Sequence, residues 1–344
     1  MSLKLLLSLL CCLVLAGGVA ACGGDDGDDG GATEGGGTQA QGNQEGGGGP
    51  VTIAFSAPAA DHGWLKAISD NAREAAEQHG DVELQANDSA TSSAEQADAI
   101  ETLIQGDPDA LVILPFEGEA LTPVALRAME AGIPVVNVDR EFAEEGAYRT
   151  FIGGDNYGIG YQAGNFFADQ LDCQGNVVEI QGLAGISVTE LRSQGFRDAL
   201  EARCQQGIRI VASQPADFLP DRGNAVMENI LQAQDQIDAV YTHDDDMAEG
   251  VIAAIENANR QDEMFLTGAG GSQAMMQRIE QGGLVRATFL YNPVMSASAI
   301  NLARLIARGE GMPTLAEPEV PARIQMAATT VTQENAADLM ELGF

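Results

Sequence analysis

The sequence predicts an α/β protein built from two doubly wound parallel sheets, hence two domains with a cleft between them. Three observations point there. Short apolar runs alternate with helical stretches of about a dozen residues, the pattern of βαβ units. The alternation reaches residue 140 and starts afresh near residue 150, so two sheets follow one another along the chain. Several apolar runs also end abruptly on charged groups, at the sheet edge where open α/β folds bind ligands.

At 344 residues, 45% hydrophobic and 20% charged, the chain is long enough for two domains with ordinary cores. Its formal net charge of −34 is not ordinary. Nucleic acid and anionic membrane surfaces are disfavoured as partners, because both would be repelled.

In chain order, Lys4 is followed by an apolar run over residues 5–15 and then by small residues down to Cys22, the pattern of an export signal. The run is short for a membrane span. Val19-Ala20-Ala21 before Cys22 has the form of a bacterial lipobox, so the expectation is a signal peptide over residues 1–21 and a lipid on Cys22. Residues 22–49 are almost entirely Gly, Asp, Glu, Gln, Thr and Asn; they cannot bury apolar surface and read as a flexible tether. Their Asp pairs lack the spacing and closing Glu of a calcium loop.

Residues 51–56 then read as a buried strand, 64–79 as an amphipathic helix closed by Gly80, and 82–86 as a second strand. A helix over 92–105 lines up Ala94, Ala97, Ile100 and Ile104 on one face. A third strand at 110–114 is stopped by Pro115, a helix covers 119–131, and a fourth strand at 134–138 runs straight onto Asp139-Arg140. The second round opens with a strand at 150–152 and a Gly153-Gly154-Asp155-Asn156 turn. The helix at 157–171 carries Gly158, Gly160 and Gly164, expected to let it pack closely on the sheet. Strands near 176–181, 207–213, 238–242, 263–267 and 284–288 alternate with helices near 188–203, 221–233, 246–258 and 272–281. A long helix at 294–307 and one C-terminal strand over 326–331 complete the pattern.

Cys11 and Cys12 fall in the signal, which leaves Cys173 and Cys204 for the folded part. Each lies just before an expected strand. If those strands are parallel neighbours, both thiols start at the same sheet edge, and a disulfide is expected in an oxidising compartment. Otherwise they remain two free thiols.

If both sheets aim their carboxyl ends at one cleft, the strand ends supply the candidate site. They are Asp61-His62-Gly63-Trp64, Asp139-Arg140, Arg192 in the segment after the strand near 176–181, Asp217-Phe218, His243-Asp244-Asp245-Asp246 and Tyr291. Carboxylates beside guanidiniums suit a small polyhydroxylated ligand, since every hydroxyl both donates and accepts a hydrogen bond. The faces of Trp64 and Phe218 can stack on the C–H faces of a sugar ring. Plainer readings stand beside these: a surface ion pair for Asp139 and Arg140, a core residue for Trp64, a loop anchor for Phe218, a solvated residue for Arg192. The aspartates at 244–246 can simply cap the helix that follows, with Asp245 and Asp246 ahead of Met247.

Enzyme chemistry finds less support. Gly-x-Ser-x-Gly, His-Glu-x-x-His and the Walker phosphate loop are absent, and the chain has three histidines in all. Gly268-Ala269-Gly270-Gly271 follows a strand and opens a helix like a dinucleotide turn, but it lacks the later glycine and lies deep in the chain. Neither a cofactor nor a metal is expected.

Several longer motifs occur together in order: Ile133-Pro134-Val135 through Asp139-Arg140, Gly154-Asp155-Asn156, Val178-Glu179-Ile180-Gln181-Gly182, Ser213-Gln214-Pro215-Ala216-Asp217-Phe218 and Asp245-Asp246-Met247-Ala248. From about residue 51 to 331 the chain resembles the ribose-binding-protein-like solute-binding components of bacterial ABC sugar importers, of periplasmic binding protein type I. The resemblance implies two Rossmann-like lobes joined by three crossovers and closing like a hinge. It places residues 51–153 with 292–325 in an N-terminal lobe and 154–291 with 326–344 in a C-terminal lobe. It also implies sugar contacts at Asp139, Arg140, Arg192 and Phe218. Departures from ribose binders stand at Asp244 in place of Asn, Ala269-Gly270 in place of Phe-Asp, Tyr291 in place of Gln, and Asp61-His62-Gly63-Trp64 in place of an Asn and two Phe. The expected cargo is therefore a pentose, a hexose or a polyol, without a choice among them.

The resulting expectation is a monomeric binding protein, not an enzyme, anchored by lipid on the extracytoplasmic face of the cell membrane. It would capture sugar and deliver it to an ABC permease served by an ATPase subunit. The alternatives are a sensor presenting ligand to a receptor, or a hydrolase of a sugar derivative using Asp244 and His62.

Overall fold

The structure is a computed structural model describing residues 49–344. The expected signal peptide, the lipid site at Cys22 and nearly all of the tether lie outside the described residues. Among the described residues no helix is long and apolar enough to cross a membrane.

The first lobe starts with β1 (Val51–Pro58), α1 (Gly63–Gln78), β2 (Val82–Ala90), α2 (Ser93–Gln105), β3 (Ala110–Ile113), α3 (Gly118–Glu130), β4 (Val135–Val138) and β5 (Thr150–Gly154). The second continues with α4 (Asn156–Gln170), β6 (Gly175–Gln181), α5 (Ser187–Cys204), β7 (Ile208–Pro215), α6 (Pro220–Ala233), β8 (Ala239–Thr242), α7 (Asp245–Asn257), β9 (Phe265–Thr267), α8 (Gln273–Gln281) and β10 (Val285–Phe289). The chain then returns through α9 (Met295–Ala307) and β11 (Arg323–Met326), and ends with β12 (Thr330–Thr332) and the short α10 (Ala336–Leu339). Strand order is β11-β5-β4-β3-β1-β2 in one sheet and β12-β10-β9-β8-β6-β7 in the other. Among the strands of the described residues only β12 runs antiparallel, against β10.

Each strand feeds two cores, because successive side chains point to opposite faces. Ile53 and Phe55 of β1 and Val112 of β3 pack with Ile68 of α1 and Ile300 of α9. Their neighbours Ala54, Leu111 and Ile113 pack with Ile100 of α2 and Leu121 and Val124 of α3. Covered on both faces, such strands have to be apolar at nearly every position, which is why they read as continuous runs. In the second lobe Val178, Ile180 and Val240 face α6 and α7. On the other face Phe167 of α4 meets Phe196 of α5 edge-on at 5.2 Å.

Two expectations need correction. Two of the three α4 glycines approach α5 and not the sheet, a Cβ at Gly160 lying 2.0 Å from the Arg192 carbonyl and one at Gly164 2.7 Å from the Ala199 Cβ, while Gly158 sits against the capping Asp155. Gly195 of α5 answers from the other side, 2.1 Å from the Tyr157 carbonyl. The single strand expected at 326–331 is two strands in different sheets. Met326 pairs with Gly154 in the first, and Val331 with Thr288 in the second. No Gly or Pro interrupts the stretch, but the chain crosses between lobes and the ladder is broken with it.

Cys173 and Cys204 are joined by a disulfide with Cα atoms 4.9 Å apart. They sit just ahead of β6 and β7, which are parallel neighbours.

Candidate functional site

The carboxyl ends of β1, β4, β6 and β8 converge on a small cavity, placed where open α/β folds bind their ligands. It is lined by His62, Trp64, Asp139, Arg140, Val188, Arg192, Phe218, Asp244, Gly270 and Tyr291. Residues up to 227 positions apart are thereby brought into contact.

Asp139 and Arg140 leave β4 with both side chains buried. Asp139 takes left-handed backbone at φ +65°, an uncommon state for a non-glycine residue that persists where the surroundings enforce it. Arg140 Nη1 donates to the Phe116 carbonyl at 2.8 Å. Its buried Nε has no hydrogen-bond partner within the protein, Asp139 Oδ2 lying 3.9 Å away. Burial pushes the Asp139 carboxyl up to about 6, against the pull of Arg140, Arg192 and His62.

Arg192 comes from α5 and is 3% exposed. Its Nε donates to Asn156 Oδ1 at 2.9 Å, Nη1 donates to the His243 carbonyl, and the guanidinium lies 4.7 Å above the Tyr291 ring. Tyr291 in turn donates its hydroxyl to Asp139 and accepts from Asn156 Nδ2 at 3.0 Å. A hydrogen-bonded chain thus runs from the second lobe through Asn156 and Tyr291 to Asp139 in the first. Trp64 donates Nε1–H to the Tyr291 carbonyl at 2.8 Å and stacks on its ring at 5.5 Å. It is both a core residue and part of the cavity wall.

Asp244 is the N-cap of α7, its Oδ1 accepting from Met247 N at 2.9 Å. The helix begins one residue earlier than expected, and of the three aspartates Asp244 is the cap, which is the plainer reading of that residue. Cap and cavity wall are the same residue. Burial pushes its carboxyl up to about 6 as well, opposed by His62 and reinforced by Asp246. Phe218, held in left-handed backbone at φ +66°, faces the His62 ring at 6.1 Å.

Asp61 does not line the cavity. Its exposed side chain turns back to the His62 ring, Oδ1 lying 2.5 Å from Nδ1. Burial works against charge on His62, yet this bond and the Asp244 carboxylate outweigh it and hold the imidazole pKa above its ordinary value. Asp61 therefore orients His62 and favours its charged form from outside the cavity.

Asn156, Val188 and Gly270 were not singled out as site residues from the sequence, whereas Asp245 stood among the strand-end candidates and does not line the cavity. Asn156 carried a signal, since it stood in the Gly154-Asp155-Asn156 motif. Asp245 is fully buried. Its Oδ2 accepts from Gly271 N and Ser272 N, each at 2.7 Å, and its Oδ1 from Thr288 Oγ1 at 2.8 Å. The amides that a dinucleotide phosphate would need in the Gly268–Gly271 turn are thus already taken. Among the described residues no group of three His, Cys, Asp or Glu side chains could hold a metal ion. With Asp61 counted behind His62, three carboxylates stand against two guanidiniums and one imidazole, a balance that favours a neutral ligand rich in hydroxyls.

The sequence pattern of the periplasmic binding protein domain matches residues 53–311. The ribose import binding protein of Bacillus subtilis (strain 168) is 35% identical over 193 residues, which are 56% of this chain and 61% of that protein. The ribose import binding protein of Haemophilus influenzae Rd is 30% identical over 260 residues, 75% of this chain and 86% of that one. A solved Mycobacterium smegmatis structure in complex with β-D-fucofuranose matches with a TM-score of 0.77 at 28% identity, over 85% of this chain and 94% of that one.

Proposed function

The chain belongs to the periplasmic binding protein family, as a ribose-binding-like type I member, and from that premise we propose that it captures a neutral pentose, hexose or polyol between its lobes for import. The ligand is released unchanged to an ABC permease driven by its ATPase subunit, and the protein works as a monomer tethered by a lipid on Cys22 outside the cytoplasm. The observation that carries this reading is the buried ring of Asp139, Arg140, Arg192 and Asp244 around one small cavity, with Arg140 Nε lacking a protein acceptor. A ligand hydroxyl is the group that can accept from this nitrogen and donate to a carboxylate beside it. Ligand binding then favours the closed state by as much as its contacts differ between open and closed forms.

The test is a thermal-shift screen of the protein from Gly23 onward against pentoses, hexoses, furanose-rich sugars, polyols and non-sugar metabolites. A sugar at a hundred times its Kd should stabilise the fold by about 2.7 kcal/mol. Recovery of that sugar unaltered after long incubation should follow. A response confined to phosphorylated or non-carbohydrate compounds would overturn the ligand class, and turnover would replace binding by catalysis.

Binding should also depend on pH. Asp139 and Asp244, both near 6 without ligand, accept hydroxyl protons best when ionised, so binding favours the ionised forms. Affinity should then be full at pH 7.5 and fall as pH drops through 6, by about tenfold at pH 5 for each carboxylate that must first lose a proton. Titration calorimetry at the two pH values checks this, and Asp244→Asn should remove part of the slope. A flat profile would mean that the ligand does not meet these carboxylates.

A further inference from the structure

Asp246 lines none of the cavity. It sits half-buried in the first turn of α7, in the second lobe, with its carboxylate directed across the cleft at the first turn of α1. Its Oδ2 accepts from Trp64 N at 3.3 Å, and a Cβ on Gly63 would come within 3.0 Å of both carboxylate oxygens.

α1 has no cap of its own. The N-cap residue, His62, makes no side-chain bond to the free amides because its ring is held by Asp61, and the first turn contains no acid. The opening turn of a helix carries unsatisfied N–H groups and partial positive charge. The turn that presents His62 and Trp64 to the cavity therefore finds its negative partner only when the two lobes meet. The Trp64 Nε1–H bond to the Tyr291 carbonyl adds to the same contact, and neither bond involves a ligand.

We propose that Asp246 is a positioning residue for ligand capture: it caps α1 from the opposite lobe, holding the cleft closed and setting His62 and Trp64 against the cavity whatever ligand lies inside. The inference rests on the cleft being the ligand site, but its first test needs no ligand.

Trp64 is the only tryptophan of the chain, so tryptophan emission reports on the start of α1, where Trp64 meets Asp246 and Tyr291. In the unliganded protein, Asp246→Ala should move the emission to longer wavelength and enlarge the particle seen by small-angle scattering. Asp246→Asn, which keeps an acceptor and loses the charge, should fall between Asp246→Ala and the wild type. Gly63→Ala, which presses a methyl group between helix and carboxylate, should act in the same direction. Affinity should weaken roughly five- to tenfold in Asp246→Ala, the size of a lost helix cap, and by the same factor for every ligand bound. Emission and scattering identical to wild type would overturn the proposal. A loss differing between ligands would overturn it too, because Asp246 would then be reading the ligand. Should no sugar bind even the wild type, the ligand class fails while the fluorescence and scattering still decide the role of Asp246.

Discussion

Arg192→Ala should weaken ligand binding by about two to three orders of magnitude, a loss of roughly 3–4 kcal/mol. Arg192 is buried, directs Nε to Asn156 and Nη1 to the His243 carbonyl, and lies over Tyr291. These bonds fix the guanidinium before any ligand arrives, so little freedom remains to be lost on binding. Its charge also draws down the pKa values of Asp139 and Asp244. Without it both carboxyls would be protonated more readily and would accept hydroxyls less well. Arg192→Lys should recover only part of the loss, since an ammonium carries charge without the planar fork of donors. Titration calorimetry with the sugar found in the screen measures both variants, and circular dichroism melts confirm that they fold. A Kd within tenfold of wild type for Arg192→Ala would place the ligand elsewhere.

Loss of the Cys173–Cys204 bridge should produce the largest change in stability. The bridge spans 31 residues, and closing a loop of that length removes unfolded-chain entropy worth about 3–4 kcal/mol. In the folded state α5 lies between the two cysteines and β6 already pairs with β7. The native structure therefore holds the two ends together without the bridge. The double substitution Cys173→Ser with Cys204→Ser should fold, bind ligand with unchanged affinity, and melt roughly 5–10 °C lower. Reductant should lower the wild-type melting temperature to the same value and leave the double variant unaffected. If wild type and double variant melt alike, residual structure in the unfolded chain already keeps this loop closed.

The sequence carried the architecture because burial on both faces of a strand leaves a mark that needs no knowledge of partners. The runs behind β1, β3, β4, β6 and β8 are apolar for that reason, and nearly every element falls within a few residues of its expected position. Site residues were legible to the extent that they stand at strand ends. Asp139, Arg140, Arg192, Phe218, Asp244 and Tyr291, with His62 and Trp64, were all singled out by position and chemical type, and the fold brings them to one cavity. Asp61 stood in the same loop and was misplaced, because neighbouring side chains in a loop point in different directions that sequence spacing does not fix.

Residue type and periodicity, then, determined the alternation of strands and helices, the two sheets, the nearness of Cys173 to Cys204, and the chemistry available at the strand ends. These follow from hydrophobic burial and local hydrogen bonding, which act over a few residues. Tertiary structure decided which groups are spent on one another and which remain for a ligand. It set Tyr291 between Trp64, Arg192 and Asp139, locked Asp245 into the Gly271 and Ser272 amides, turned Gly160 and Gly164 of α4 toward α5, split the last strand between two sheets, and aimed Asp246 across the cleft at α1. Each of these contacts joins parts of the chain whose meeting depends on how whole elements pack, and a carboxylate looks the same in the sequence whether it will face a sugar, a backbone amide or solvent.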